Sequence, residues 1–457
     1  VEVSPYTSVN YNIGIGYKTL SEVLGNNNVA IGHEAALYAS SGSSNTFIGY
    51  YAGRGATAAT STGGTNTAVG TLALSSFTSA VNNAAFGGDS MRFNTSGNYN
   101  TAMGVNSMRA NSTGGANTAL GYAAGFGLQT GNYNVIIGNG AGYNLGGVSN
   151  CILIGDEAGY NIDDTDANGT VAVGHESGKA ITSGVGNHAI GYQALSAEDD
   201  GHYSTAIGYQ ALRSQTGNSA EVGNTAIGYQ AADHLTTGRW SVFIGAHAGT
   251  AITTGGYNVA IGYGAMRTPT GLSGNTAIGW NALTSMSGSA GDKNNTAVGY
   301  GAGDSVTTAD SLVIIGASAG SAITTGNDNT AVGFLALNQV ETSGSNTALG
   351  HMAGYHTMGH SNTYIGETAG YSGASADHGS RNVAIGRHAM YYGDNINNSV
   401  AIGYLSLYHG DVNTTSTTVV GYQAGTHATG SYNTFIGADA GYGGTTSAPY
   451  SSGQYNV

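Results

Sequence analysis

One glycine slot, always preceded by an apolar residue, recurs 25 times along the chain, at 16, 32, 49, 70, 87, 104, 121, 138, 155, 174, 191, 208, 228, 245, 262, 279, 299, 316, 333, 350, 366, 386, 403, 421 and 437. Fifteen of the 24 intervals are 17 residues, and no globular insertion interrupts the series. A fixed short period restricts the chain to architectures in which each copy is one structural unit that buries its apolar side against the next.

The slots around the glycine have distinct characters. The residue just before it is usually Ile or Val, as at Ile31, Val69, Ile137, Ile207 and Ile402, and is expected to point into a core. The second residue before it is mostly Ala, with Phe47, Ile136, Phe243, Tyr364 and Phe435 as larger variants, and reads as a second packing surface. The third residue after the glycine is always Ala, Ser or Thr, which suggests a close approach of two backbones. The next position is mostly Gly or a long apolar residue, as at Gly142, Leu195, Met266 and Gly354. Four residues before the glycine, 18 of 25 copies carry Asn, including Asn45, Asn100, Asn224, Asn329 and Asn433. Stacked in register, these five and their equivalents form a structural amide ladder.

Gly inside the motif and the abundance of Asn, Thr and Ser disfavour a helical repeat. The expected fold is therefore all-β, a parallel β-solenoid or β-roll of about 25 coils of 17 residues, with two short strands per coil joined by Gly/Ser/Thr/Asn turns. At about 4.8 Å per coil this makes a rod on the order of 120 Å long. The organisation is an N-terminal lead-in over 1–9, a continuous repeat domain over 10–441 and a C-terminal tail over 442–457. Such a thin core gains from association, and three rods about a common axis would cover the second apolar face and the small column. That is the physical case for a homotrimer.

Composition narrows the function. Charged residues are 8% of the chain, and its 11 Lys and Arg against a net charge of −14 give no footprint for nucleic acid. No run of 18 apolar residues is present, so direct membrane insertion is not expected. The Val-Glu-Val start is no secretory leader, which suggests a processed or partial chain, or export handled elsewhere. The single Cys151, inside Cys-Ile-Leu-Ile, reads as a buried small residue. Without a nucleophile elbow, a recurring carboxylate pair or a phosphate loop, the chain is not expected to be an enzyme.

Asn-Ser-Val-Ala-Ile-Gly at 398–403 and Asn-Val-Ala-Ile-Gly at 28–32 and 382–386 resemble the head repeat of trimeric autotransporter (YadA-like) adhesins. The Asn-Thr-Ala-Ile-Gly-Tyr-Gln-Ala-Leu variant also looks like repeats of phage tail fibres. The resemblance implies a left-handed parallel β-roll in an intertwined homotrimer, extracellular on a cell surface or virion, and used for attachment to a glycan or protein receptor. A structural filament or sheath subunit is the alternative. The unit here is longer than the adhesin repeat, of about 14 residues, which implies an extended turn.

Candidate sites follow from the repeat. Tyr192, Tyr209, Tyr229, Tyr263, Trp280 and Tyr300 occupy the slot after the glycine and could contact a receptor by stacking on sugar rings, or could pack on the neighbouring coil. Five expanded intervals, 49–70, 155–174, 208–228, 279–299 and 366–386, are where specificity is expected to reside. Asp164, Asp166 and Asn168 have the spacing that opens a calcium loop, with calcium as the one cofactor to consider; an exposed acidic turn is the simpler reading. Glu198-Asp199-Asp200 likewise reads as a solvated turn, and His351, His356 and His360 lack a zinc spacing.

Overall fold

The computed structural model describes residues 11–57, 61–217, 221–288, 291–372, 379–393, 395–410, 414–428 and 430–443. The expected lead-in over 1–9 lies outside these residues, as does the tail beyond 443. The chain divides into two compact units, Val1–Thr237 and Gly238–Val457, and each is a parallel β-solenoid.

Among its described residues the first unit has thirteen three-residue strands, from Ile13–Ile15 to Thr225–Ile227. Each pairs in parallel with the next without slippage, as in Thr101↔Thr118 and Ala102↔Ala119. The second unit has twelve such strands, from Val242–Ile244 to Thr434–Ile436, in the same register, as in Thr330↔Thr347 and Ala331↔Ala348. It adds one short parallel pair, Leu272–Ser273 with Gly291–Asp292. The 17-residue coil of the sequence is thus the structural repeat.

The strand faces are the reverse of the sequence expectation. The second residue before the glycine is the core: Ala30, Phe47, Ala119 and Ile136 in the first unit, and Phe243, Ala260, Ile314 and Tyr364 in the second, are fully buried. The Ile or Val before the glycine points outward, and Leu120, Ile190, Ile278 and Leu349 are 46%, 37%, 36% and 48% exposed. Period-two alternation allows only one of two adjacent residues inside. A coil this thin admits the methyl of Ala in most copies and excludes the larger side chain.

The second expected strand does not form. The residues two and four after the glycine take positive φ, as at Leu72 (58°) and Leu74 (49°), so this side of the coil is a chain of tight turns. The alternation has a use. Leu72 donates its N–H back to Tyr50 O at 2.8 Å, while Leu74 donates forward to Ser90 O at 3.0 Å. Peptide groups aimed alternately at the previous and the next coil offset the cost of the left-handed conformation, about 1–2 kcal/mol per residue.

Volume is balanced within a coil. Where the inner strand residue is large, the fourth residue after the glycine is Gly, because a Cβ at Gly53, Gly249 or Gly370 would run into the ring of Phe47, Phe243 or Tyr364. Where it is Ala, that fourth position carries Leu or Met in ten of 16 coils, as in the buried pairs Ala68 with Leu74 and Ala85 with Met91; at Gly125, Gly303 and Gly354 side chains of the adjacent coils fill the space instead. A further inner column, seven residues after the glycine, supplies Phe77, Leu128, Leu145 and Ile162 in the first unit and Ile252, Val306 and Ile323 in the second. The small residues three after the glycine, including Ala52, Ser90 and Ala302, are buried inside their own coil. They are therefore no contact column between chains, and that argument for a trimer fails.

Candidate contact surface

The Asn slot is interior. Asn45, Asn100, Asn224, Asn329 and Asn433 are fully buried. In the regular run, each Oδ1 accepts the backbone N–H of the next Asn, as Asn45 does from Asn66 and Asn100 from Asn117 at 2.9 and 3.0 Å. Each Nδ2 donates to a turn carbonyl, as in Asn100 to Gly114 O at 2.8 Å and Asn329 to Ser343 O at 2.8 Å. Direct amide-to-amide bonds, such as Asn117 to Asn100 at 3.1 Å, are the minor part. Asn224 instead donates to Gln215 Oε1 at 2.9 Å. The slot therefore satisfies backbone groups in the thin core more than it forms a side-chain ladder.

Outside, three columns are presented. The first is the strand face, whose outward slots are the apolar residue before the glycine and the Thr or Val two residues earlier. In all 25 copies these slots contain no Asp, Glu, Lys or Arg. The second is the slot after the glycine. In the first unit His175, Tyr192, Tyr209 and Tyr229 stack at centroid distances of 5.2, 5.0 and 5.3 Å. In the second, Tyr263, Trp280 and Tyr300 stack at 6.3 and 4.8 Å. The rings cover one another's faces, and their 41–58% exposure is therefore mainly of edges and polar tips. Within a run each ring packs on that of the neighbouring coil.

The third column, five residues after the glycine, was not singled out from sequence, although Tyr recurs there at a fixed offset. It stacks Phe126, Tyr143 and Tyr160 at 4.8 and 5.0 Å in the first unit. In the second it stacks Tyr355, Tyr371, Tyr391 and Tyr408 at 5.4, 4.8 and 5.3 Å. Beside it run Tyr392, His409 and His427, at 5.1 and 5.0 Å. Burial, and then the charge of His427, hold His409 below the usual imidazole range, and burial does the same for His356. His388 is lowered by burial and by Arg387. His351 stacks on Phe334, and His360 accepts from Gly344 N–H, so the sequence trio His351, His356 and His360 has three separate surroundings.

Asp164, Asp166 and Asn168 lie on one turn, around a short 3-10 segment Thr165–Ala167, and all three are exposed. Asp164 caps it by accepting Asp166 N–H at 3.0 Å. Asn168 Oδ1 accepts Ser149 N–H of the previous coil at 2.6 Å, so this oxygen has a protein partner. Among the described residues the carboxylates that cluster are instead Glu198, Asp199 and Asp200. Glu198 is no solvated turn residue: it is fully buried. Its Oε1 accepts the N–H groups of Gly201 and Gly217, both at 2.7 Å, and Oε2 accepts from Gln215 at 2.6 Å. Donors at both oxygens make the burial of a carboxylate tolerable, and tie the expanded turn at 208–228 to the coil before it. The expanded turns at 49–70, 208–228, 279–299 and 366–386 each have residues outside those described.

Cys151 is buried and its thiol is pushed up to about 11 by desolvation, which leaves it unreactive. A scan of the chain against protein-family models matches none, and a search of curated proteins finds no relative.

Proposed function

We propose that this chain is a non-enzymatic extracellular fibre subunit that self-associates as a homotrimer and serves in attachment at a cell or virion surface. One observation carries the reading: an outward column that is apolar in all 25 copies, on a strand face without a charged residue. Solvent-facing β positions normally alternate to polar residues, and contiguous apolar surface of this extent marks a contact surface. Eleven of the 25 outward residues are exposed and the others half-buried; full burial of an aliphatic side chain contributes about 1.5–3 kcal/mol, so each exposed one holds back about 1 kcal/mol. The five or six exposed copies in each unit thus offer on the order of 5 kcal/mol, within the range of the cost of association of about 4–15 kcal/mol. A few coils would not suffice; a face as long as each unit's reaches that range.

The variable size of the outward residues, among them Phe86, Met103, Leu120 and Ile137, suits packing against protein more than a lattice-matched array. The attachment role rests on the resemblance of the repeat and on the neutral, aromatic-edged surface.

Native mass of the intact chain tests the assembly. The expected mass is three times 45.7 kDa, and a mass of 45.7 kDa would sink the proposal. The double substitution L349K/I402K, on the outer column of the second unit, is expected to yield folded monomer. Discrete assemblies that bind cells or virions at one end favour attachment, whereas open-ended polymers favour the filament alternative.

A further inference from the structure

In the first unit the repeat presents one slot pair in two versions. In one coil Arg92 Nη1 donates to Asp89 Oδ1 at 2.9 Å. One coil on, the same slots hold Asn106 and Arg109, and neither side chain has a hydrogen bond or ion pair to a described residue. The Arg109 guanidinium carbon lies 5.2 Å from the centroid of Phe93 and 5.5 Å from that of Phe126. Two rings, Phe93 and Phe126, hold the guanidinium in place, and its N–H groups have no hydrogen-bond partner among the described residues and remain for a ligand. The chain's own carboxylate, present at Asp89, is replaced by an amide at Asn106.

We propose that Arg109 and Asn106 together seat the carboxylate of an acidic saccharide, a uronate or a sialate, which accepts from the guanidinium and from the amide and supplies the charge that Asp89 gives Arg92. Beyond Phe126 the column continues in the phenols of Tyr143 and Tyr160, flanked by the exposed amide pair Asn144 and Asn161, joined at 3.0 Å. A row of neutral donors and acceptors beyond one cation suits a hydroxyl-rich ligand. An acidic peptide would need more cations, and the next one in the column, Lys179, is already bridged by Glu157 and Glu176 at 2.6 and 2.7 Å.

The inference deepens the attachment reading, rests on it, and is tested apart from it. The full-length chain is titrated calorimetrically with oligogalacturonate and with sialyllactose, and with neutral galactan oligomers and lactose as controls; the two acidic probes separate a uronate from a sialate. One acidic saccharide is expected to bind and the neutral ones not. R109Q should weaken binding about tenfold or more, the loss of a charge-assisted pair. N106D should block the site by pairing with Arg109. It should fold, since Asp89 holds the same slot at φ 55° where Asn106 has 62°. D89N, which frees Arg92, should add a second site.

Failure of both acidic probes to bind, equal binding of neutral saccharides, an acidic peptide binding as well, or unchanged affinity in both R109Q and N106D would overturn the assignment. Cell adherence and native mass are measured on the same proteins. Adherence that survives R109Q and N106D removes this site but leaves attachment standing, whereas saccharide binding by a chain that neither assembles nor adheres removes attachment alone.

Discussion

At the residue scale, the pairing of ring and hole within a coil is the feature most open to test. Phe243 fills the space that a side chain at Gly249 would occupy. G249L alone therefore overpacks the coil and strains a position at φ 61°, and should destabilise the second unit by about 1–3 kcal/mol. F243A alone should cost about 3–5 kcal/mol. The double substitution F243A/G249L recreates the Ala and Leu arrangement of Ala68 with Leu74 and should recover most of the loss. Denaturant melts of the three proteins measure this, and simple additivity would refute the packing scheme. This pairing was visible in the sequence as a correlation between two slots, because Phe or Tyr in one always accompanies Gly in the other. The inward or outward sense of Ile was not visible. A strand of three residues has no longer alternation to average over, and by hydrophobicity alone Ile outranks Ala as a core residue.

At the element scale, the sequence showed a β coil but not its second side. Leu, Met, Gln and Tyr at positive φ run against local preference, and only the bonds to both neighbouring coils make them tolerable. The same side carries the imidazoles of the second unit. His388 faces Thr368, Arg387, Glu367, Tyr391, Tyr404 and Tyr408, and His409 faces Tyr392, Tyr408 and His427. His356, His388 and His409 all have lowered values in the fold, so they take up protons in the unfolded chain first. Their contribution to stability is present above the unfolded value of about 6.5 and is lost as pH falls through the folded ones. The second unit should melt at a lower temperature near pH 5 than near pH 7.5, and H356Q/H388Q/H409Q should flatten that dependence. An unchanged slope in the triple variant would count against the histidines as its source.

At the scale of the whole molecule, stability is a sum of coils and of interfaces between neighbours. F47A should cost about 3–5 kcal/mol locally. Amide exchange should then quicken in the coils around 30–80, while the protection of Thr118 to Val173 in the same unit stays near that of the parent. A uniform loss across the unit would mean that it melts as one body.

The ring and its hole belong to the same coil, Phe47 with Gly53 and Tyr364 with Gly370. A coil of this kind copied or deleted whole carries that fit with it, whereas the space at Gly125 or Gly354 is filled by Met108 and Ile136, or by Leu337 and Tyr364, of the coils on either side. Duplication in steps of one coil therefore costs little where ring and hole share a coil, and requires a matching neighbour where the hole is filled from outside.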